Sequence, residues 1–483
     1  AVTTSSLIYT CFSKNLKAVI CMNAENEDEI AGHGLYSFQE LLEQGRKLID
    51  EGYDEYKNSS INPDKMCILI FTSGTSSAAK AVMLSHTNIC SDIMGLGGIV
   101  YCRPGESILS VLPLNHTFEN TVGLLFPLYL GVTISISDGL RYLTKNLMEY
   151  RPDLIVGVPL LFDKFKKRAT DEIRKKGLQV KVSLLMLAAN ALKHLGIDIR
   201  RKFFKQLLAP FGGKLRVIVS GGAGMDPDTA NWYENIGIRV YQGYGLTETS
   251  PVLAGGNDRA RKSGTCGEPL PGVTLAIHNS DAGGAGEIVV KGKNVMLGYW
   301  KNPAATREAI TDGWFHTGDL GCIDRRGLIH VTGRVKSMIV LKNGKKVFPE
   351  ELESYINEID YVKESMVWGE TTDDGTVELC SKIILDRDKI ATKTSPDDEN
   401  SIRGLLDSAL KDINRLMPIY KRIRYYVFSY DELIKTTTMK IKRYVETDQI
   451  RGLLSGMCTN IKNAAGKNID KIKEMLAKRA EDY

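Results

Sequence analysis

Three short stretches of this chain combine residue types that could grip a phosphorylated ligand. In the first, the apolar run Ile68-Leu69-Ile70-Phe71 breaks into Thr72-Ser73-Gly74-Thr75-Ser76-Ser77-Ala78-Ala79-Lys80 before apolar residues resume up to His86. Backbone N–H groups of such a loop form a concave anion site, the hydroxyls add donors, and Lys80 supplies a point charge. The spacing differs from Walker A, which needs Gly directly before the lysine and Ser or Thr after it, where this chain has Ala79 and Ala81. Taken alone, a polar surface loop between a strand and a helix fits these residues equally well.

The second stretch, Gln242-Gly243-Tyr244-Gly245-Leu246-Thr247-Glu248, offers a ring to stack on a base, a glycine allowing close backbone approach, a hydroxyl and a carboxylate able to hold Mg²⁺. A glycine turn opening a helix at Thr247 is the plainer alternative. The third is Thr317-Gly318-Asp319, where Asp319 could accept both hydroxyls of a ribose or cap its own turn, followed by Gly333-Arg334-Val335-Lys336. Lys435 to Arg443 is basic and hydroxyl-rich, and composition alone reads it as solvated.

The elements that would position these residues alternate along the chain. Short apolar runs at Lys17–Met22, Met66–Phe71, Ser107–Leu112, Val132–Ser137, Leu154–Val158, Arg216–Ser220 and Arg239–Gln242 are separated by helix-length segments, which predicts α/β lobes built on parallel sheets. Ligands of such sheets bind where strands end, and the loops after Phe71, after Ser220 (Gly221-Gly222-Ala223-Gly224) and after Gln242 lie there. From Ser263 short strands with frequent glycine turns predict a β-rich subdomain, and from Lys336 a third regime begins. The expected divisions are therefore 1–262, 263–335 and 336–483, the last a small α+β domain.

At 483 residues the chain exceeds the size of one hydrophobic core. A net charge of +5 is too small for this length to indicate nucleic acid as partner. Nine scattered cysteines without a C-x-x-C pair suggest a reduced, cytoplasmic compartment and no zinc site. No apolar run reaches the roughly 18 residues of a membrane span. Between Asp163 and Lys205 thirteen Lys or Arg face four Asp or Glu, around the apolar run Val182 to Leu195. A basic amphipathic surface meeting anionic lipid would explain this, as a peripheral contact at the inner face of a membrane. The commoner arrangement, and the expectation here, is one buried helix among solvated ones. The opening residues, a helix-like Ser5 to Asn15 followed by a strand, resemble the middle of an α/β domain and suggest a missing N-terminal portion.

Taken together and in order, the stretches resemble the adenylate-forming acyl-CoA synthetases, the superfamily that includes luciferases and peptide-synthetase adenylation domains. Leu112 to Glu119, with His116-Thr117-Phe118-Glu119, belongs to the same pattern, and with Gly344 to Glu351 and Lys435 to Arg443 it looks most like the long-chain fatty acid branch. The resemblance implies ligation of a fatty acid to coenzyme A at the expense of ATP, with Mg²⁺ and an acyl-adenylate intermediate. It implies that Thr72, Ser73, Gly74, Thr75 and Lys80 hold the β- and γ-phosphates, and that Tyr244 and the Gly221-Gly222-Ala223 backbone sandwich adenine near Gln242 and Gly243. By the same resemblance Thr247 meets the α-phosphate, Glu248 holds Mg²⁺, Asp319 with Arg334 binds ribose, and Gly245 belongs to the nucleotide-binding residues. Lys336 matches a hinge, Lys440 the catalytic lysine of the small domain, His116 the acyl entrance and Gly344 the pantetheine tunnel. The chain departs from the general loop at Ser77, Ala79 and Ala81, where the superfamily carries Gly, Pro and Gly. Two alternatives stand beside this: a ligase loading an acyl carrier protein, and a fragment that binds ATP without turnover.

Overall fold

The computed structural model describes residues 2–3, 18–22, 35–72, 80–342, 344–372, 375–436 and 440–481. By contacts the chain divides into 1–63 and 64–483. The first unit holds three parallel strands, Val2–Thr3, Val19–Cys21 and Leu35–Ser37, and the helix Phe38–Asp50. The sequence-predicted helix from Ser5 to Asn15 lies outside the described residues.

The second unit is organised around a seven-stranded sheet. Five strands run parallel in the order Arg239–Gly245, Val217–Ser220, Leu154–Gly157, Ser107–Ser110 and Thr133–Ile136. Val252–Gly255 and Glu268–Pro269 extend it antiparallel. The central strands Leu154–Gly157 and Val217–Ser220 are short, apolar and buried on both faces, as helices packed on either side require. Two hydrophobic clusters flank this sheet, one containing Ile108, Leu154, Val156 and Tyr241, the other Leu109, Ile155, Ile218 and Val240. Alternate residues of each strand thus feed opposite cores.

Met66–Thr72 does not join the parallel sheet. It pairs antiparallel with Lys80–Ser85, and Gly298–Tyr299 pairs on the far side of that strand. The physical reason is the length of the connection, since the seven residues 73–79 cannot make the crossover of a dozen or more that parallel neighbours need. The strands on either side of these residues are therefore antiparallel partners, and Met66–Thr72 leads to a strand instead of a helix. A helix follows only at His86–Ile99, capped reciprocally by Ser85 and Asn88.

The β-rich stretch forms an antiparallel sheet of Val273–His278, Gly286–Gly292, Trp314–Ile323, Ile310–Thr311 and Ile329–Arg334. From residue 339 onward the chain supplies hydrophobic clusters of its own, around the sheet of Val362–Thr371, Val377–Leu385 and Tyr425–Ser429. Helices Pro349–Asn357, Glu399–Leu416, Arg443–Gly456 and Ile469–Glu481 accompany it.

The basic region corrects one expectation. The apolar run lies on the helix Gln179–His194, of which only Ala189 is buried, so this helix is not the buried member of a solvated set. Among the described residues no helix is long and apolar enough to cross a membrane.

Candidate active site

Asp319 is the best-held residue of the site. It stands near the middle of the strand Trp314–Ile323, directly opposite Arg334 in the neighbouring strand. One carboxylate oxygen accepts from Arg334 Nε at 2.9 Å and the other from the Tyr244 hydroxyl at 3.0 Å. Asp319 is only 4% exposed, and burial pushes its carboxyl up while the guanidinium and the tyrosine hydroxyl oppose that shift. A carboxylate has about four lone-pair sites, so two remain for ribose hydroxyls in the role expected of it.

Tyr244 comes from the last turn of the strand Arg239–Gly245 and is itself buried, its phenol raised well above the usual value by burial and then by Asp319. Gly245 next to it has no room for a side chain, because a Cβ would lie 1.8 Å from the Pro251 carbonyl oxygen. The turn that follows, Thr247–Thr249, is clamped from both sides. Asn294 donates to the Thr249 and Val252 carbonyls at 3.0 Å each, and buried Asp92 accepts from the Val252 N–H at 3.1 Å. Thr247 receives the Thr117 hydroxyl at 3.2 Å, which ties it to the His116-Thr117-Phe118-Glu119 segment. The Phe118 ring packs where a Cβ on Gly221 would stand, 2.7 Å away, so that position has no room for a side chain. Gln242 is buried and accepts from the Met225 N–H at 3.4 Å, and Gly243 pairs with Gly255.

Glu248 is connected to the antiparallel pair Met66–Thr72 and Lys80–Ser85. Tyr299 donates its hydroxyl to Glu248 Oε1 at 2.9 Å, and Lys80 Nζ sits 4.5 Å from the centre of the Tyr299 ring. Thr72 stands opposite Lys80 and donates to its carbonyl at 3.3 Å. Ser73, Gly74 and Thr75 lie outside the described residues. Tyr299 was not singled out from the sequence. Its signal is structural: it pairs with Val82 across the sheet, two residues from Lys80 and hence on the same face.

Lys440 comes from the other end of the chain. It rises from a narrow loop closed by the Lys435–Ile441 bridge and by the Thr436 N–H donating to the Lys440 carbonyl at 2.8 Å. Lys435 in turn pairs with Glu364 at 2.5 Å, both mostly buried, so the stretch is not the solvated loop its composition suggests. Over the whole residue Lys440 is exposed. Its ammonium end is nevertheless crowded: lost hydration and then the Arg334 guanidinium outweigh the attraction of Asp319 and Glu248, and hold its pKa at about 8. The His116 imidazole is pushed down by burial and then by Lys440.

The remaining expected residues lie apart from this cluster or beside it. Lys336 is exposed, in the turn just after Arg334, where Ser337 and Met338 N–H groups donate to the Arg334 carbonyl. Gly344 occupies a left-handed turn between the short strands Ile339–Val340 and Lys346–Val347, and a Cβ there would meet nothing within 4 Å. The structure does not bring Gly344 against the cluster.

Chemically these residues offer a carboxylate suited to ribose hydroxyls in Asp319, one suited to a cation in Glu248, and positive charge in Lys80 and Lys440. Among the described residues no group of three or more His, Cys, Asp or Glu could cage a metal ion. Glu248 alone still fits Mg²⁺, which is commonly held by one or two carboxylates together with substrate phosphates and water.

The chain belongs to the AMP-binding enzyme family, whose sequence pattern matches residues 6–300. It is 30% identical over 458 residues to the long-chain-fatty-acid–CoA ligase FadD15 of Mycobacterium tuberculosis, covering 87% of this chain and 74% of that one. Fatty acyl-CoA synthetase B of Dictyostelium discoideum is 29% identical over 391 residues, 74% of this chain and 56% of its own. Among solved structures, ATP-bound MatB from Rhodopseudomonas palustris superposes with a TM-score of 0.66 at 25% identity, over 93% of this chain and 82% of that one. The α/β architecture is that of the acyl-adenylate-forming enzymes.

Proposed function

We propose that the protein joins a fatty acid to coenzyme A in two steps, first forming an acyl adenylate from ATP with release of pyrophosphate, then passing the acyl group to the CoA thiol with release of AMP. The observation that carries this is the cluster of Asp319, Arg334 and Tyr244, joined by an ion pair and a hydrogen bond, whose charges together with that of Glu248 act on Lys440. A carboxylate is a poor electrophile until one of its oxygens becomes a leaving group. Attack on the α-phosphate builds negative charge on phosphoryl oxygens, and fixed donors aimed there stabilise it.

In this account Asp319 and Arg334 hold the ribose, Tyr244 and the Gly221-Gly222-Ala223 backbone the adenine, and Thr247 the α-phosphate. Lys80, with Thr72, Ser73, Gly74 and Thr75, takes the outgoing phosphates. Glu248 would hold Mg²⁺, which neutralises phosphate charge when bound. Lys440 supplies the charge that bridges carboxylate and α-phosphate. Bound anions favour its protonated form, so a lysine near 8 in the free protein is charged when substrate is present.

An apolar slot lies beside Gln242 and Gly243, lined by Phe118, Val122, Phe126, Tyr241 and Val252 among others. We assign it to the acyl group, with His116 at its entrance. The 336–483 segment is a small domain that turns at Lys336 and withdraws Lys440 before CoA enters past Gly344.

Pyrophosphate exchange measured across acetate, benzoate and C6 to C18 fatty acids tests the substrate class. Exchange rising with chain length supports the proposal, and exchange on acetate or benzoate alone removes it. A second reading has one favouring observation: the match to the chloroplastic long-chain-fatty-acid–[acyl-carrier-protein] ligase AEE15 of Arabidopsis thaliana, 26% identical over 487 residues. Thioester formation with free CoA but not with a carrier protein rejects it.

A further inference from the structure

The sheet of Val362–Thr371, Val377–Leu385 and Tyr425–Ser429 carries two charges where its alternation calls for apolar residues. Along the first strand Glu364 shares a face with Met366 and Trp368, and along the second Lys382 shares one with Cys380 and Ile384. Those four neighbours belong to one hydrophobic cluster, together with Leu433, Ile450 and Leu454. The register sets Lys382 opposite Met366 and Glu364 opposite Ile384, so both charges stand on the face that this cluster covers. Both residues are buried. Packing does not account for them, because well-packed apolar residues of similar volume stabilise a core as well as a buried ion pair does, or better. A break in the pattern of this kind marks a constraint other than stability.

Both charges act on the base of the loop that carries Lys440. Glu364 accepts from the Leu433 N–H at 3.0 Å and pairs with Lys435 at 2.5 Å. Lys382 donates to one oxygen of Glu446 at 2.8 Å, and the other oxygen accepts from the Ile434 N–H at 2.5 Å. Two consecutive backbone donors are thus held by two buried carboxylates, one from a strand and one from the helix Arg443–Gly456. The far stem is tied to the same point, since the Lys442 N–H donates to the Ile434 carbonyl at 2.8 Å. Arg443, next in the chain, pairs with Glu350 at 3.0 Å and with buried Glu353. A lysine side chain is a charge on a flexible four-carbon stem and cannot aim itself. Only its backbone can be set, and a misplacement of about 1 Å can cost about 10²-fold in rate.

We propose that the pairs Glu364 with Lys435 and Glu446 with Lys382 are positioning residues for adenylation, holding the base of the loop so that Lys440 reaches the reacting phosphate in one pose. The proposal rests on the reaction assigned above. It has the consequence that the loop is aimed by charges within 364–446 and keeps its shape whether or not Lys440 is at the nucleotide.

The test compares the two half-reactions in two double variants of the full chain, Glu364→Gln with Lys435→Met and Lys382→Met with Glu446→Gln. Each keeps side-chain volume and removes both charges, so no buried ion is left without its partner. Pyrophosphate exchange should fall by roughly tenfold or more in kcat in each, with the KM for ATP nearly unchanged because Asp319 and Arg334 still hold the nucleotide. Transfer from supplied acyl adenylate to CoA should stay close to wild type, and circular dichroism melting close to that of wild type shows that the doubles are folded. Exchange kept by a folded double overturns the role of that pair. An equal loss in both half-reactions, or failure of the doubles to fold, makes the pairs structural and overturns the proposal. Absence of exchange in wild type with every acid tried would instead remove the reaction, and the positioning role with it.

Discussion

Asp319 and Lys440 contribute opposite charges to one site, yet the chain holds them in contrasting ways. Asp319 is locked into a strand, faces Arg334 across the sheet and accepts from Tyr244, and it hardly meets water. Lys440 stands on a small loop from the far end of the chain and is an exposed residue with a crowded tip. On the proposed roles, the difference means that the nucleotide cradle is preorganised while the catalytic charge is delivered to it. A group that must leave between two steps gains nothing from being packed in, whereas a group that orients a ribose in both steps does.

The largest effect that sharpens this contrast is expected from Lys440→Ala. Fatty-acid-dependent pyrophosphate exchange should fall by roughly 10²-fold or more, the scale of losing one stabilising donor. Next comes Asp319→Ala, which leaves Arg334 and Tyr244 without their shared partner. We expect the KM for ATP to rise by about 10- to 100-fold, as for losing charged hydrogen bonds, and steady-state kinetics at varied ATP measure it. An unchanged KM would remove the ribose assignment.

A smaller effect belongs to Tyr299→Phe, which deletes one hydrogen bond to Glu248 and keeps the ring under Lys80. Exchange should drop by about two- to tenfold. A Mg²⁺ titration should show more of the metal needed for half-maximal rate. No change in either quantity would show that Tyr299 does not position Glu248.

The smallest effect on rate is expected at Glu119, where stability is the readout. Its carboxylate accepts from Ser110 and the Val111 N–H, but burial dominates and pushes its pKa up to about 7, and the buried Oε2 has no partner among the described residues. A folded-state pKa above the unfolded value of 4.5 means that the folded form binds the proton more tightly. Stability from this group is therefore complete below about pH 4.5 and is lost as pH rises to about 7, by up to roughly 3 kcal/mol. Denaturant unfolding at pH 5 and pH 8 should show a smaller difference for Glu119→Gln than for wild type.

Much of the cradle is legible in the sequence because its parts are local. Tyr244, Gly245, Thr247 and Glu248 follow one another at the end of a strand, where an α/β sheet presents its ligand. The partnership of Asp319 and Arg334 is not legible from residue types, since it depends on the register of two strands joined through Arg325 and Arg326. Tyr299 escaped for the same reason, as an aromatic after a glycine whose place beside Lys80 comes only from strand pairing. Hydrophobic runs also mislead about depth. The run Ile68 to Phe71 promised a parallel strand and pairs antiparallel with Lys80–Ser85, because a seven-residue connection cannot cross over. Val182 to Leu195 promised a buried helix and lies half outside, because an apolar run says nothing of how many faces the fold covers.

The claim that the charge is delivered and the cradle fixed is tested most directly by measuring the two half-reactions separately in Lys440→Ala. Adenylation should fall by roughly 10²-fold or more, while transfer of the acyl group from supplied acyl adenylate to CoA should stay close to wild type. An equal loss in both half-reactions would contradict the account, since Lys440 would then belong to the fixed cradle.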